Sequence, residues 1–90
     1  MFAKLDAIAA RYDELGELLS RPETLADMQL YTKLSREHAE TEELVQTYRA
    51  YRRTESEMNA ALAEAEKESG EMRDMLLEAA QSCRERLGQL

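Results

Sequence analysis

The only histidine of the chain has neighbours that resemble a metal site. His38 and Glu42 are four residues apart, so a helix would present both on one face, and Glu37 adjoins the histidine. A di-iron bundle needs a glutamate three residues before the histidine, and that position holds Ser35. The pattern therefore favours a half-buried histidine between packed helices, and we predict no metal site and no cofactor.

Acidic side chains are abundant, but their distribution does not indicate a catalytic pair. A carboxylate dyad needs a concave, partly dry site that drives its two pKa values apart. The 19 acidic residues are instead spread over the solvent-facing positions of amphipathic segments. A single imidazole also limits any relay between a nucleophile and a base. We predict that the chain is not an enzyme, has no catalytic residues and takes no small-molecule substrate.

One cluster is both basic and aromatic, and it is our candidate partner-binding site. Arg49, Arg52 and Arg53 are interleaved with Tyr48 and Tyr51. Such a cluster can contact phosphate or stack on a base, but it is also typical of a solvated face whose tyrosines turn toward the core.

The composition excludes several classes of protein. The 90 residues carry a net charge of −7 with 34% charged and 43% apolar residues, which is typical of a soluble, helix-rich domain. No basic half attracts nucleic acid, and no segment reads as a membrane span or a signal peptide, so we expect a cytoplasmic protein. Cys83 is the only cysteine, which excludes an internal disulfide and predicts a small buried side chain.

Apolar residues spaced three or four apart predict a first helix over residues 2–19, with one buried stripe: Leu5, Ile8, Tyr12, Leu15 and Leu19. Gly16 interrupts this pattern and indicates a close approach of another backbone. Pro22 ends the segment, and two pairs with capping-box spacing predict that a helix restarts nearby: Ser20 with Glu23, and Thr24 with Asp27.

Residues 24–69 contain neither proline nor glycine, which predicts one long continuous helix. Its first half has one stripe: Tyr31, Leu34, His38, Thr41, Val45 and Tyr48. Its second half has another: Leu44, Tyr48, Tyr51, Met58, Leu62 and Ala65. This shift indicates packing against two successive partners. Exposed ion pairs are expected at i,i+4 spacing, namely Arg36 with Glu40 and Arg53 with Glu57.

A second break at Ser69 and Gly70 precedes a third helix over residues 71–90, whose predicted stripe is Met72, Met75, Leu76, Ala79, Cys83, Leu87 and Leu90. The predicted fold is all-α with three helices in a single domain of residues 1–90. The long central helix would pack antiparallel against a helix on each side, as an elongated helical bundle or coiled coil.

Three motifs and the turn among them resemble the N-terminal domain of bacterial class I peptide chain release factors, of the release factor 1 type that reads UAA and UAG. Residues 2–5 read FAKL, residues 31–39 read YTKLSREHA, residues 71–75 read EMRDM, and residues 20–22 form a Ser-Arg-Pro turn. The resemblance covers essentially the whole chain. Gly70 stands where the family commonly has proline, and both residues break a helix.

The resemblance implies a fragment of a longer protein. Family members carry a Gly-Gly-Gln tripeptide and a loop that reads the stop codon, and neither occurs here. In the family, this first domain is a helical arm that projects toward the stalk base of the large ribosomal subunit and the class II GTPase release factor. The resemblance thus implies a role in translation termination, in which the arm positions the factor on the ribosome without decoding or catalysis.

Two other interpretations remain open from the residues. One is a free-standing coiled-coil adaptor or scaffold that oligomerises through its apolar stripes. The other is a small RNA-binding helical module, which depends on the arginine cluster alone. An arm separated from neighbouring domains also exposes apolar surface, so the expected state of the fragment is a helical monomer or a weak homo-oligomer.

Overall fold

The computed structural model describes residues 2–90, and all of the regular structure in that range is helical. Helix α1 spans Ala3–Leu19, α2 spans Pro22–Leu25, α3 spans Met28–Glu66 and α4 spans Gly70–Gln89. The all-α prediction is confirmed. The prediction of three helices is wrong, because the one-turn helix α2 separates the first helix from the long one.

The segment between α1 and α3 explains this difference. The hydroxyl of Ser20 donates to the carbonyl oxygen of Glu17 at 2.7 Å, so it closes α1 and does not begin a new helix. Arg21 has the extended backbone that a following proline favours, with φ −78° and ψ 139°. Pro22 then occupies the first turn of α2, where its missing N–H is harmless.

The long helix begins at Met28, later than the predicted start at residue 24, because Asp27 caps it. The backbone N–H of Leu30 donates to Asp27 Oδ1 at 3.1 Å, which satisfies one of the free N–H groups of the first turn. Thr24, the other half of the predicted capping pair, lies within α2 and is buried.

The chain forms two compact units. Unit 1 contains the described residues up to Tyr48, and unit 2 is Arg49–Leu90. In unit 1, α1 packs antiparallel against the first half of α3, since residues near the start of α1 contact residues late in that half. The apolar cluster at this interface consists of Ala9, Val45 and Tyr48, with Phe2, Leu5, Ile8 and Tyr12 packed against it.

The predicted stripe of unit 1 is largely correct. Leu15, Leu34, Val45 and Tyr48 are buried. His38 and Thr41 are half-buried. Tyr31 is 37% exposed, so the stripe weakens toward the start of α3.

In unit 2, the second half of α3 packs antiparallel against α4. Arg86 Nη2 lies 3.6 Å from Glu57 Oε2, whereas Arg73 and Leu77, which are earlier in α4, lie around the same concavity as Leu62 and Ala65. Buried side chains here are small: Thr54, Ala65, Ala80 and Cys83. The burial predicted for Cys83 is confirmed.

Two predicted stripes need correction: the one on the second half of the long helix and the one on α4. Leu44 is 47% exposed, and Thr54 is buried although the prediction omitted it. On α4, Met72 and Met75 are 51% and 63% exposed, and Ala80 is buried in place of Ala79. Two neighbouring stripes of α4, one through Ala79 and one through Ala80, both satisfy the three-and-four spacing. The stripe that is buried contains the small side chains of Ala80 and Cys83.

The turn between α3 and α4 depends on Gly70, which has φ +64°. This left-handed conformation was predicted, but it occurs in the first residue of α4 and not in a residue that closes α3. Ser69 occupies the N-cap position with an extended backbone, yet its side chain makes no capping hydrogen bond.

Candidate functional site

A two-point ion pair joins α1 to α3 in unit 1. Arg11 Nε donates to Glu37 Oε1 at 3.0 Å, and Arg11 Nη2 donates to Glu37 Oε2 at 3.2 Å. The third nitrogen, Nη1, donates to Glu14 Oε1 at 2.9 Å. Hydrogen bonding from Arg11 holds the pKa of Glu37 below its ordinary value of 4.5, and the charge of Lys33 acts in the same direction. This pair links the two helices at one point along their interface.

His38 is a packing residue between the same two helices. Its ring stacks on Tyr12, with ring centres 4.1 Å apart and an interplanar angle of 12°. A Cβ added to Gly16 would lie 3.7 Å from His38 Nε2. The neighbour of Gly16 is therefore this imidazole, and the backbone contact predicted from the glycine does not occur.

The acidic neighbours of His38 are engaged elsewhere. Glu37 binds Arg11, and Glu42 Oε1 accepts a long hydrogen bond of 3.4 Å from the Tyr12 hydroxyl. Over residues 2–90, no three His, Cys, Asp or Glu side chains are grouped as a metal ion would require.

Tyr48 completes the interface at the end of unit 1. Its ring contacts Phe2 with centroids 5.7 Å apart, and its hydroxyl donates a short hydrogen bond to Asp6. The tyrosine is 7% exposed, so this member of the basic and aromatic cluster faces the core.

The three candidate arginines lie at the start of unit 2. Because residues 49, 52 and 53 fall within an arc of about 100° on a helix, the structure brings Arg49, Arg52 and Arg53 to one face of α3. All three are exposed, whereas Tyr51 is half-buried. Arg52 Nη1 also donates to Glu55 Oε1 at 3.1 Å. Together they form an exposed cationic patch on an acidic chain.

Sequence reasoning missed a groove on α3 in unit 1. Seven residues line it: Met28, Gln29, Thr32, Lys33, Arg36, Glu37 and Glu40. The predicted ion pair between Arg36 and Glu40 does not form, nor does that between Arg53 and Glu57, since neither appears among the ion pairs of the described residues. The sequence pattern did not indicate this groove, because Met28 is the only apolar residue among the seven that line it.

None of the helices within residues 2–90 combines the length and the apolar character needed to cross a membrane.

Comparison with known proteins identifies one family. Residues 8–90 match the PCRF domain. Peptide chain release factor 1 of Acidobacterium capsulatum is 36% identical over 90 residues, which cover 100% of this chain and 25% of that protein. Peptide chain release factor 1 of Burkholderia vietnamiensis is 42% identical over 93 residues, covering 100% of this chain and 24% of the relative.

A third relative, peptide chain release factor 1 of Carboxydothermus hydrogenoformans, is 46% identical over 61 residues, or 68% of this chain and 17% of that protein. No solved structure matches the chain. The chain thus spans a quarter or less of the length of these relatives. The resemblance drawn from the sequence motifs is confirmed: the chain is similar to release factors of the release factor 1 type, and it belongs to the PCRF domain family.

Proposed function

We propose that this chain is the N-terminal helical arm of a peptide chain release factor and takes part in translation termination in the cytoplasm. The observation that carries the proposal is the PCRF match over residues 8–90, together with full coverage of the chain by relatives named peptide chain release factor 1. Decoding and peptide hydrolysis belong, in this proposal, to other parts of the longer proteins. The arm positions the factor near the stalk base of the large ribosomal subunit and the class II GTPase release factor.

The exposed patch of Arg49, Arg52 and Arg53 supports a positioning role. The three cations lie on one helix of 39 residues, so they are presented with a fixed spacing. Charges at the edge of an interface mainly tune the association rate and orientation of two partners. The ribosome is rich in phosphate, and these arginines are the contacts that we propose for it.

The test measures binding of the 90-residue chain to large ribosomal subunits. Substitution of all three arginines by glutamine (Arg49→Gln, Arg52→Gln, Arg53→Gln) should weaken binding roughly tenfold. Each exposed charge contributes less than about 1 kcal/mol of binding free energy, and a tenfold change in affinity corresponds to about 1.4 kcal/mol. A control triple variant, Lys67→Gln with Arg73→Gln and Arg84→Gln, removes the same charge from exposed positions of unit 2 and should bind like the parent chain.

Three outcomes decide between the parts of this proposal. Equal weakening in both triple variants would remove the specific role of the arginines. Equal binding to subunits stripped of the stalk base would contradict the location. Stop-codon-dependent peptide release by the 90-residue chain alone would overturn the assignment of catalysis to other segments.

A free-standing adaptor or scaffold is the second candidate function. Met72 and Met75 are 51% and 63% exposed on α4, and large exposed side chains of this kind are typical of interaction surfaces. Sedimentation distinguishes the two candidates. A stable oligomer favours the scaffold if the substitutions Met72→Ser and Met75→Ser dissociate it into monomers, whereas a monomeric parent chain favours the arm.

A further inference from the structure

The groove on α3 in unit 1 has no role in the function proposed above. All seven of its lining residues come from α3, and all but Glu37 are exposed. The groove runs from residue 28 to residue 40, which corresponds to about 18 Å along a helix axis. Its length therefore suits about three turns of another helix.

The floor of the groove is mostly apolar although six of its seven residues are polar. Met28, which is 73% exposed, is the apolar residue of its lining. Lys33 and Arg36 also line the groove, and side chains of these two types have long apolar carbon stems below their charged ends. A partner would bury apolar surface here and meet two cations beside it.

The charges along the groove indicate the sign of the charge that a partner carries. Residues 28–36 contain Lys33 and Arg36 and no acidic residue, although the chain as a whole has a net charge of −7. Arg36 forms no hydrogen bond or ion pair within residues 2–90. Lys33 acts electrostatically on Glu37, whose carboxylate is already bound by Arg11. Both cations are thus available to carboxylates of a partner.

The far end of the groove argues against nucleic acid. Glu37 and Glu40 line that end, and the Glu40 carboxylate forms no ion pair within residues 2–90, so a phosphate backbone that followed the groove would meet an uncompensated negative charge. A peptide helix can instead present acidic side chains to the two cations and neutral or basic ones to this end.

We propose that the groove binds an amphipathic helix of a partner protein, with an apolar side chain over Met28 and carboxylates facing Lys33 and Arg36. The inference is independent of the proposed function, because it rests on unit 1 alone and its test involves no ribosome.

The test uses two synthetic helical peptides of about 15 residues, long enough to form isolated helix. One carries a leucine stripe flanked by glutamates, and its twin carries lysines in place of the glutamates. Amide chemical shifts of the isotope-labelled 90-residue chain are followed during titration. The acidic peptide should shift the amides of residues 28–40, and the basic twin should not.

Variants locate the contact. Lys33→Gln with Arg36→Gln should weaken binding of the acidic peptide about tenfold, since two exposed charge pairs are lost. Lys67→Gln with Arg84→Gln removes the same charges elsewhere and should have no effect. Met28→Ser should weaken binding, whereas Met75→Ser, at a methionine that is 63% exposed, should not. Circular dichroism verifies that each variant retains its helix content.

Several results would overturn the proposal. These are an absence of shifts at millimolar acidic peptide, equal shifts with the basic twin, and tighter binding of a single-stranded RNA oligonucleotide at the same amides. Sedimentation tests a fourth such result. If the parent chain forms a concentration-dependent dimer and the Lys33→Gln, Arg36→Gln variant does not, the groove binds a second copy of the chain.

Discussion

At the scale of single residues, Glu37 makes the stability of unit 1 depend on pH. Its pKa is lowered mainly by hydrogen bonding from Arg11, so its contribution to stability is present above the ordinary value of 4.5 and is lost as the pH falls through the lower value of the folded state. We predict that Glu37→Gln lowers the urea midpoint at pH 7, and that this difference from the parent chain begins to shrink as the pH falls past 4.5 and disappears only below the lower pKa of the folded state.

Glu40→Gln is the matched control for this prediction. Glu40 is an exposed glutamate of the same helix and forms no ion pair within residues 2–90, so its loss should leave the urea midpoint nearly unchanged. A difference between Glu37→Gln and the parent that persists undiminished at low pH would contradict the role of the carboxylate charge.

Replacing each of two glycines by alanine should change the stability of the chain in opposite directions. Gly16 lies within α1, and an added Cβ would meet only His38 Nε2 at an ordinary contact distance of 3.7 Å. Gly16→Ala should therefore stabilise the chain by about 0.5–1 kcal/mol, through the better helix propensity of alanine. Gly70 has φ +64°, so Gly70→Ala should destabilise by about 1–2 kcal/mol. Thermal unfolding of both variants measures this contrast, and a shift of the same sign in both would refute it.

At the scale of elements, the caps of α3 and α4 differ in a measurable way. The Asp27 side chain accepts a hydrogen bond from the Leu30 N–H, whereas Ser69, in the corresponding position before α4, makes none. Asp27→Ala should cost about 1 kcal/mol of unfolding free energy, and Ser69→Ala should cost little. Urea unfolding gives both values. Equal losses would mean that the capping hydrogen bond does not set the start of α3.

The sequence was sufficient for most of the fold, because the signals that define it are local. Pro22 and Gly70 mark two of the three interruptions, and the three-and-four spacing identifies the buried stripe of α1. The start of α3 was harder to predict, since Thr24 and Asp27 have capping-box spacing that favours a start at Thr24, whereas Asp27 itself caps the helix. The buried face of α4 was mispredicted for another reason: Ala79 and Ala80 are equally apolar, and only the packing of small side chains against α3 selects Ala80.

The candidate sites were partly visible in the sequence. The arginine cluster depends only on helical spacing, so its exposed face could be predicted, although its partner could not. The groove could not be predicted, because it depends on the side-chain conformations of residues that are mostly polar and exposed. An i,i+4 pair between Arg36 and Glu40 is worth only a few tenths of a kcal/mol, too little to decide the orientation of two long side chains.

At the scale of the whole molecule, the two units differ in what they bury. Besides the small residues Ala9 and Thr24, unit 1 buries the larger side chains of Leu15, Leu34, Val45 and Tyr48, whereas the buried residues of unit 2 are all small: Thr54, Ala65, Ala80 and Cys83. Larger apolar side chains remove more surface from water, at about 25 cal/mol per Å². We therefore expect unit 2 to open more readily than unit 1, with faster native-state hydrogen exchange of its buried amides.

Leu15→Ala tests this difference, because Leu15 is 0% exposed and belongs to unit 1. Loss of its side chain should cost about 3 kcal/mol and speed exchange of the slowest unit 1 amides roughly a hundredfold. Amides of unit 2 such as Ala80 should exchange at nearly the parent rate, since we expect them to exchange through an opening that leaves unit 1 folded. Equal acceleration in both units would show instead that α3, which contributes to both, makes them unfold together.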